Sequence, residues 1–160
     1  LLALSLGLAE KVSRCRMLPC HALMVQFESD LEVEFDAAFV NASALSWVAN
    51  NGSKPGRDSQ PNWILHSGAD WSEAHLESTA EQTRNSLLGA FEHAVGVQLP
   101  EVKFFAAHRW LYARSEGDAK EGPLWDGDAG LGACGDWVEG DRVEDAFLSA
   151  EVLAEAIRSR

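Results

Sequence analysis

Residues 131–157 read LGACGDWVEGDRVEDAFLSAEVLAEAI. This stretch predicts a short strand over LGACGDWV, a tight turn, and a helix from Arg142 to about Ile157. Val143, Ala146, Phe147, Ala150, Leu153, Ala154 and Ile157 recur at helical spacing and draw one apolar stripe. Asp141 and Glu144 form the D-x-x-E pair expected of a capped helix start. Gly135 and Gly140 bracket the turn, and Gly135, having no Cβ, lets a backbone or a ligand approach closely. The helix N-terminus adds unpaired N–H groups and a partial positive charge, so it favours an anion. Without further signals the same residues describe an ordinary strand–turn–helix corner.

Upstream of this corner the pattern is mostly strands. A short helix is expected within residues 1–14, and Pro19 closes the turn after it. CHALMVQFE (20–28) suits a strand with Val25 and Phe27 on one face and Met24 and Gln26 on the other. DAAFV (36–40), ALSWVAN (44–50), NWILHS (62–67) and EVKFFAAHRWLYAR (101–114) are further strand candidates. Between the last two, one long helix is expected from Asp70 to about Val95. Asp70 or Ser72 would cap it, Leu87, Leu88, Phe91 and Val95 would face the core, and Gly96 would end it. Residues 115–130 read as a Gly- and Asp-rich loop. Strands, helix, strand, loop, strand, helix make an α+β fold with an antiparallel or mixed sheet.

Composition narrows the partners. The chain has 160 residues, 46% of them hydrophobic, enough for a real core. Its formal net charge is −12, which disfavours phosphate backbones and anionic lipid, so neither nucleic acid nor a membrane surface is expected as a partner. The opening LLALSLGLAEK is too short for a membrane span of about 20 residues, and no basic segment precedes it as in a signal peptide. Beginning in a helix-like run suggests a piece of a longer protein. Cys15, Cys20 and Cys134 are odd in number and unevenly spaced, which points to a reducing, cytoplasmic compartment rather than a disulfide framework. Cys15, Cys20 and His21 match no zinc spacing, and no metal site is expected.

NGSKPGRDSQP (51–61) is the clearest loop, with an Asn-Gly pair, two Gly and two Pro. Its length suggests function, and Lys54 and Arg57 make it a basic spot in an acidic chain. Six Trp against one Tyr supply indole surface, with Trp47, Trp63 and Trp71 expected in the core. A G-x-S-x-G elbow is absent, which argues against a serine hydrolase. So is G-x-G-x-x-G, so this chain carries no dinucleotide-binding turn of that type.

GACGDWVEGDRVEDAFLSAEVLA resembles the C-terminal flavin motif of the amine-oxidase-like FAD enzymes, and more closely that of the renalase-like branch. MLPCHALMVQFE, LSWVANNGSKPGR, NWILHSGADWSEAHLE and AAHRWLYAR follow in the order seen in bacterial renalase-like proteins. His21 departs from that pattern, standing where an aromatic such as Trp is expected. The resemblance implies that residues 1–114 are part of a substrate-binding domain and 115–160 the closing segment of an FAD-binding, Rossmann-like domain. The N-terminal dinucleotide-binding half would lie outside this chain and be its partner. The implied cofactor is FAD, and the anion favoured at the helix start would be the reduced flavin.

The implied reaction is oxidation of a small molecule, a dihydronicotinamide dinucleotide or an amine, with hydride passing to FAD and electrons to oxygen. By the same resemblance Gly135, Asp136, Trp137, Arg142, Val143 and Glu144 would contact the cofactor. His66, Trp110 and, more weakly, Asn51 would line the substrate side. The chain alone is expected to be inactive. The rival reading is a small acidic α+β binding or interaction module without flavin.

Overall fold

β4 alternates residue by residue. In this strand, Asn62–Ser67, Trp63, Leu65 and Ser67 are buried while Asn62, Ile64 and His66 are half-buried. That period of two is what a sheet covered on one face imposes. The computed structural model describes residues 4–116, 124–140 and 142–159. It divides into two compact units. One is Pro19–Leu111, and the other comprises the chain up to Leu18 and from Tyr112 onward. The first eighteen residues thus group with the C-terminal stretch, whereas the sequence reading placed them with the rest of 1–114. Leu8 explains the grouping, because it is buried in a small cluster with Leu124 and Val138.

The architecture is α+β. Strands β1 (Arg16–Phe27), β2 (Ala37–Phe39), β3 (Leu45–Asn50), β4 and β5 (Val102–Glu116) form a five-stranded sheet in the order β2-β3-β4-β1-β5. β2–β3, β3–β4 and β4–β1 pair antiparallel, with Leu23 opposite Leu65, Val25 opposite Trp63, and Trp47 opposite His66. One face of this sheet is the core. Leu23, Val25, Phe27, Val48, Trp63 and Leu65 point there and meet Leu87 and Phe91 of α3 (Ala80–Val95). Leu87 and Phe91 are fully buried, as their spacing predicts, while Leu88 and Val95 pack at the cluster's edge.

The long helix expected from Asp70 is two helices. α2 (Ala69–Ala74) starts at Gly68 without a side-chain cap, and neither Asp70 nor Ser72 caps it. Ser72 is instead buried, its Oγ 2.5 Å from Ser67 Oγ. A second start wins downstream. Thr79 Oγ1 accepts from the Gln82 N–H, and the Gln82 side chain accepts from the Thr79 N–H, a reciprocal box that begins α3. Gly96 ends α3 at φ 71°, a conformation few side chains tolerate.

The other unit holds α1 (Leu6–Ser13), the hairpin of β6 (Leu124–Asp126) and β7 (Leu131–Ala133), the single turn α4 (Asp136–Glu139) and α5 (Val143–Arg158). β6 lies inside the stretch expected to be loop. Trp137 and Val138, expected in the last strand, are helical, because Val138 is drawn into the Leu8–Leu124 cluster. Asp141, the expected cap, lies outside the described residues. No described helix is long and apolar enough to cross a membrane.

Candidate functional site

The uncovered face of the sheet in Pro19–Leu111 is aromatic. Trp47 and His66 are register partners, so their rings share that face, 5.2 Å apart between centroids. Phe39 is opposite Trp47 and is 83% exposed. On β5, Phe105 and Ala107 pack against the core, and the Arg84 guanidinium covers the Phe105 ring from α3. Alternation therefore turns Phe104, His108 and Trp110 to the open face. Trp110 is half-exposed, and the His108 ring lies 4.3 Å from it. Arg109 points the other way and pairs with Glu77 at 3.4 Å. The structure thus puts His66 and Trp110 on one face. Burial first, then the Lys54 ammonium, hold the His66 imidazole below its ordinary pKa.

Asn51 follows β3 directly. Its N–H donates to the Asn62 carbonyl at 2.6 Å. Its side-chain oxygen is buried with no described partner, an acceptor that ordinarily calls for a donor.

The six residues expected at the cofactor fall in the other unit, around one pinned turn. Ser149 of α5 is buried, and its Oγ lies 2.9 Å from both the N–H and the carbonyl of Gly135. A Cβ on Gly135 would strike the Trp137 indole, so the bare glycine is what lets that ring fold back over the turn. Asp136 opens α4 and accepts from the Trp137 N–H at 2.9 Å through one oxygen. Trp137, Val12, Cys15 and Met17 line an apolar cavity of about 210 Å³. Burial, reinforced by the Asp136 carboxylate, pushes the Cys15 thiol pKa up.

Arg142 is the N-cap residue of α5. Its N–H and its guanidinium all reach the Asp145 carboxylate, at 3.0 to 3.1 Å, and Asp145 is buried. Val143 is 91% exposed and Glu144 is exposed beside it. The apolar stripe on α5 is therefore largely uncovered. Its buried residues are Asp145 and Ser149, one turn apart, whereas Val143, Phe147 and Ile157 are exposed. Sequence reasoning missed Asp145 and Ser149. Their i, i+4 spacing opposite the apolar stripe was the available signal.

Among the described residues no group of three or more His, Cys, Asp or Glu is placed to hold a metal ion. No family model matches the chain. The fold is similar to that of a crystal structure named "Putative protoporphyrinogen oxidase", from Exiguobacterium sp. 255-15, with a TM-score of 0.73 at 13% identity. The fold is shared. The match covers 94% of this chain and 36% of that one, so this chain spans about a third of its neighbour's length.

Proposed function

We propose that this chain is the C-terminal part of an FAD-dependent oxidoreductase, renalase-like in oxidising dihydronicotinamide dinucleotides at the expense of oxygen. The observation that carries the reading is the fold likeness across 94% of the chain to a protein named as an oxidase. The ordered segments from MLPCHALMVQFE to GACGDWVEGDRVEDAF support the renalase-like branch.

The turn at Gly135 fits one edge of a flavin. Val143 and Glu144 begin α5, so their N–H groups have no carbonyl one turn back and are available as donors. Asp136 keeps a second oxygen to accept from a ribityl hydroxyl. The cavity beside Trp137 suits an apolar ring edge. Bound FAD would supply the two-electron acceptor. Its other half is proposed to be held by a dinucleotide-binding partner segment, which would pack on the apolar residues of α5 left uncovered here, Val143, Phe147, Leu148, Val152 and Ile157.

The sheet unit would hold the substrate. Hydride transfer needs orientation more than a strong acid or base. Trp47 and Trp110 offer flat surfaces for a planar ring. The depressed pKa of His66 keeps its imidazole neutral near pH 7, so it does not repel a ring that becomes cationic on oxidation. The orphaned Asn51 oxygen is an acceptor suited to a carboxamide N–H.

The test is to express the chain together with its flanking coding sequence, supply FAD, and record the absorption spectrum before and after adding a dihydronicotinamide dinucleotide. Flavin bands that bleach on addition support the proposal. A colourless protein sinks it.

A further inference from the structure

We infer that Asn51 is a deamidation site that the Asn50 side chain holds in check, a clasp built into the neck of the loop joining β3 to β4.

The liability starts in the sequence. Asn51 is followed by Gly52, the chain's one Asn-Gly pair. In such a pair the glycine nitrogen, once deprotonated, adds to the asparagine side-chain carbonyl carbon. Ammonia leaves, and a five-membered succinimide remains. Water then opens that ring to aspartate or isoaspartate, so one water is taken up and one ammonia released. Glycine makes the addition easy, because no Cβ shields its nitrogen or restricts its backbone. Packing requires that glycine all the same. A Cβ on Gly52 would run into the Gln60 carbonyl oxygen across the neck of the loop.

The first restraint acts on the attacking nitrogen. The Gly52 N–H donates to Asn50 Oδ1 at 2.9 Å. Deprotonation gives up this bond and leaves an anion facing a carbonyl oxygen. The second restraint acts on the carbonyl under attack. Asn51 Oδ1 is buried, and no described donor reaches it. Addition would turn that oxygen into an oxyanion, which is costly where no N–H or O–H is aimed at it.

The third restraint is the frame. The Asn51 N–H donates to the Asn62 carbonyl at 2.6 Å, and the Asn50 N–H donates to the Asp36 carbonyl at 2.7 Å. Ser53 Oγ donates to the Asn50 carbonyl at 3.0 Å. Ring closure asks for a particular Asn51 backbone angle, and these bonds oppose the search for it. Asn50 itself is held by main-chain pairing with Trp63 of β4, so its side chain starts from a fixed strand end. The product would not fit this neck. Isoaspartate routes the main chain through its side chain and lengthens it by one carbon, where there is no room for a glycine Cβ.

The experiment ages the intact chain at pH 8 and follows Asn51 by peptide mass spectrometry, with enzymatic isoaspartyl methylation as a second readout. Asn50→Ala removes the clasp and leaves the backbone bonds of Asn50 in place. Asn50→Asp keeps an acceptor oxygen at the same position. The amide NMR fingerprint checks the fold of each. The native chain should deamidate at Asn51 about tenfold or more slowly than the same chain in urea, since reaction waits on local opening. Asn50→Ala should react about two- to tenfold faster than the native chain, the rate equivalent of one lost hydrogen bond. Asn50→Asp should stay near the native rate. A native chain that reacts as fast folded as in urea overturns the inference. So does an Asn50→Ala chain no faster than native, or an Asn50→Asp chain as fast as Asn50→Ala. Should Asn50→Ala fail to fold, the urea comparison and Asn50→Asp still decide: protection lost in a folded Asn50→Asp chain refutes the clasp.

Discussion

Ser149 Oγ holds Gly135 from both sides, 2.9 Å from its N–H and 2.9 Å from its carbonyl oxygen, across fourteen residues of chain. One hydroxyl thereby sets where α4 begins relative to α5, and so where Asp136 and the first turn of α5 stand. Ser149→Ala should cost about 1–3 kcal/mol, since it strands polar backbone groups in a part-buried turn. Urea unfolding measures that loss. Flavin retention in the complete protein should fall with it, and an unchanged midpoint would show that the turn is held by something else.

Asp136 carries a narrower prediction. Its backbone role in α4 survives replacement, and its one described side-chain bond is local. Asp136→Ala in the complete protein should leave folding nearly intact and weaken FAD retention by about tenfold or more, the worth of a hydrogen bond to a charged group at about 1.5–3 kcal/mol. Flavin occupancy after gel filtration is the readout. Equal occupancy in both proteins removes Asp136 from the cofactor set.

Acid should destabilise the sheet unit through His21. The residue is 2% exposed and both ring nitrogens lack a described partner. Burial first, then the charges of Arg109 and His75, lower its pKa. The unfolded chain therefore binds the proton more readily, and stability is fully present above the unfolded value of about 6.5 and declines as pH falls below it toward the folded value. His66 shifts in the same direction and adds to the slope. His21→Phe should raise stability at pH 5 more than at pH 8. Denaturant melts at the two pH values test this, and equal gains would exclude His21 as the source.

Thiol reactivity should separate the cysteines. Cys134 is exposed, whereas Cys15 is part-buried at the Trp137 cavity and its pKa is raised by burial and by Asp136. Iodoacetamide at pH 7.5 should modify Cys134 several-fold faster than Cys15. Peptide mass spectrometry over a time course gives both rates. Asp136→Ala should then speed Cys15, because one of the two causes of its raised pKa is gone.

Much of the sheet is legible in the sequence because its strands alternate strongly. NWILHS coincides with β4, and Val25 and Phe27 face the core as their spacing requires. The helix between β4 and β5 was harder, since two start signals compete within ten residues. Asp70 or Ser72 looks as good on paper as Thr79 with Gln82, and the burial of Ser72 against Ser67 withdraws one of them. β6 escaped notice because three residues flanked by Gly and Asp carry no period. Of the candidate site, NWILHS and AAHRWLYAR place His66 and Trp110 on strands, and only the resemblance joins them in one pocket. The ties that hold Gly135 were not readable, because a serine fourteen residues away leaves no local mark.

α5 shows the limit of periodicity most clearly. Spacing tells which of its residues are apolar and never what covers them. Its two fully buried residues are polar, Asp145 and Ser149, while Phe147 and Ile157 are bare. The practical consequence concerns concentration. Kept dilute, the isolated chain should run as a monomer. As it is concentrated, those bare side chains should find one another, and light scattering should record growing mass that Phe147→Lys suppresses with little change in melting temperature.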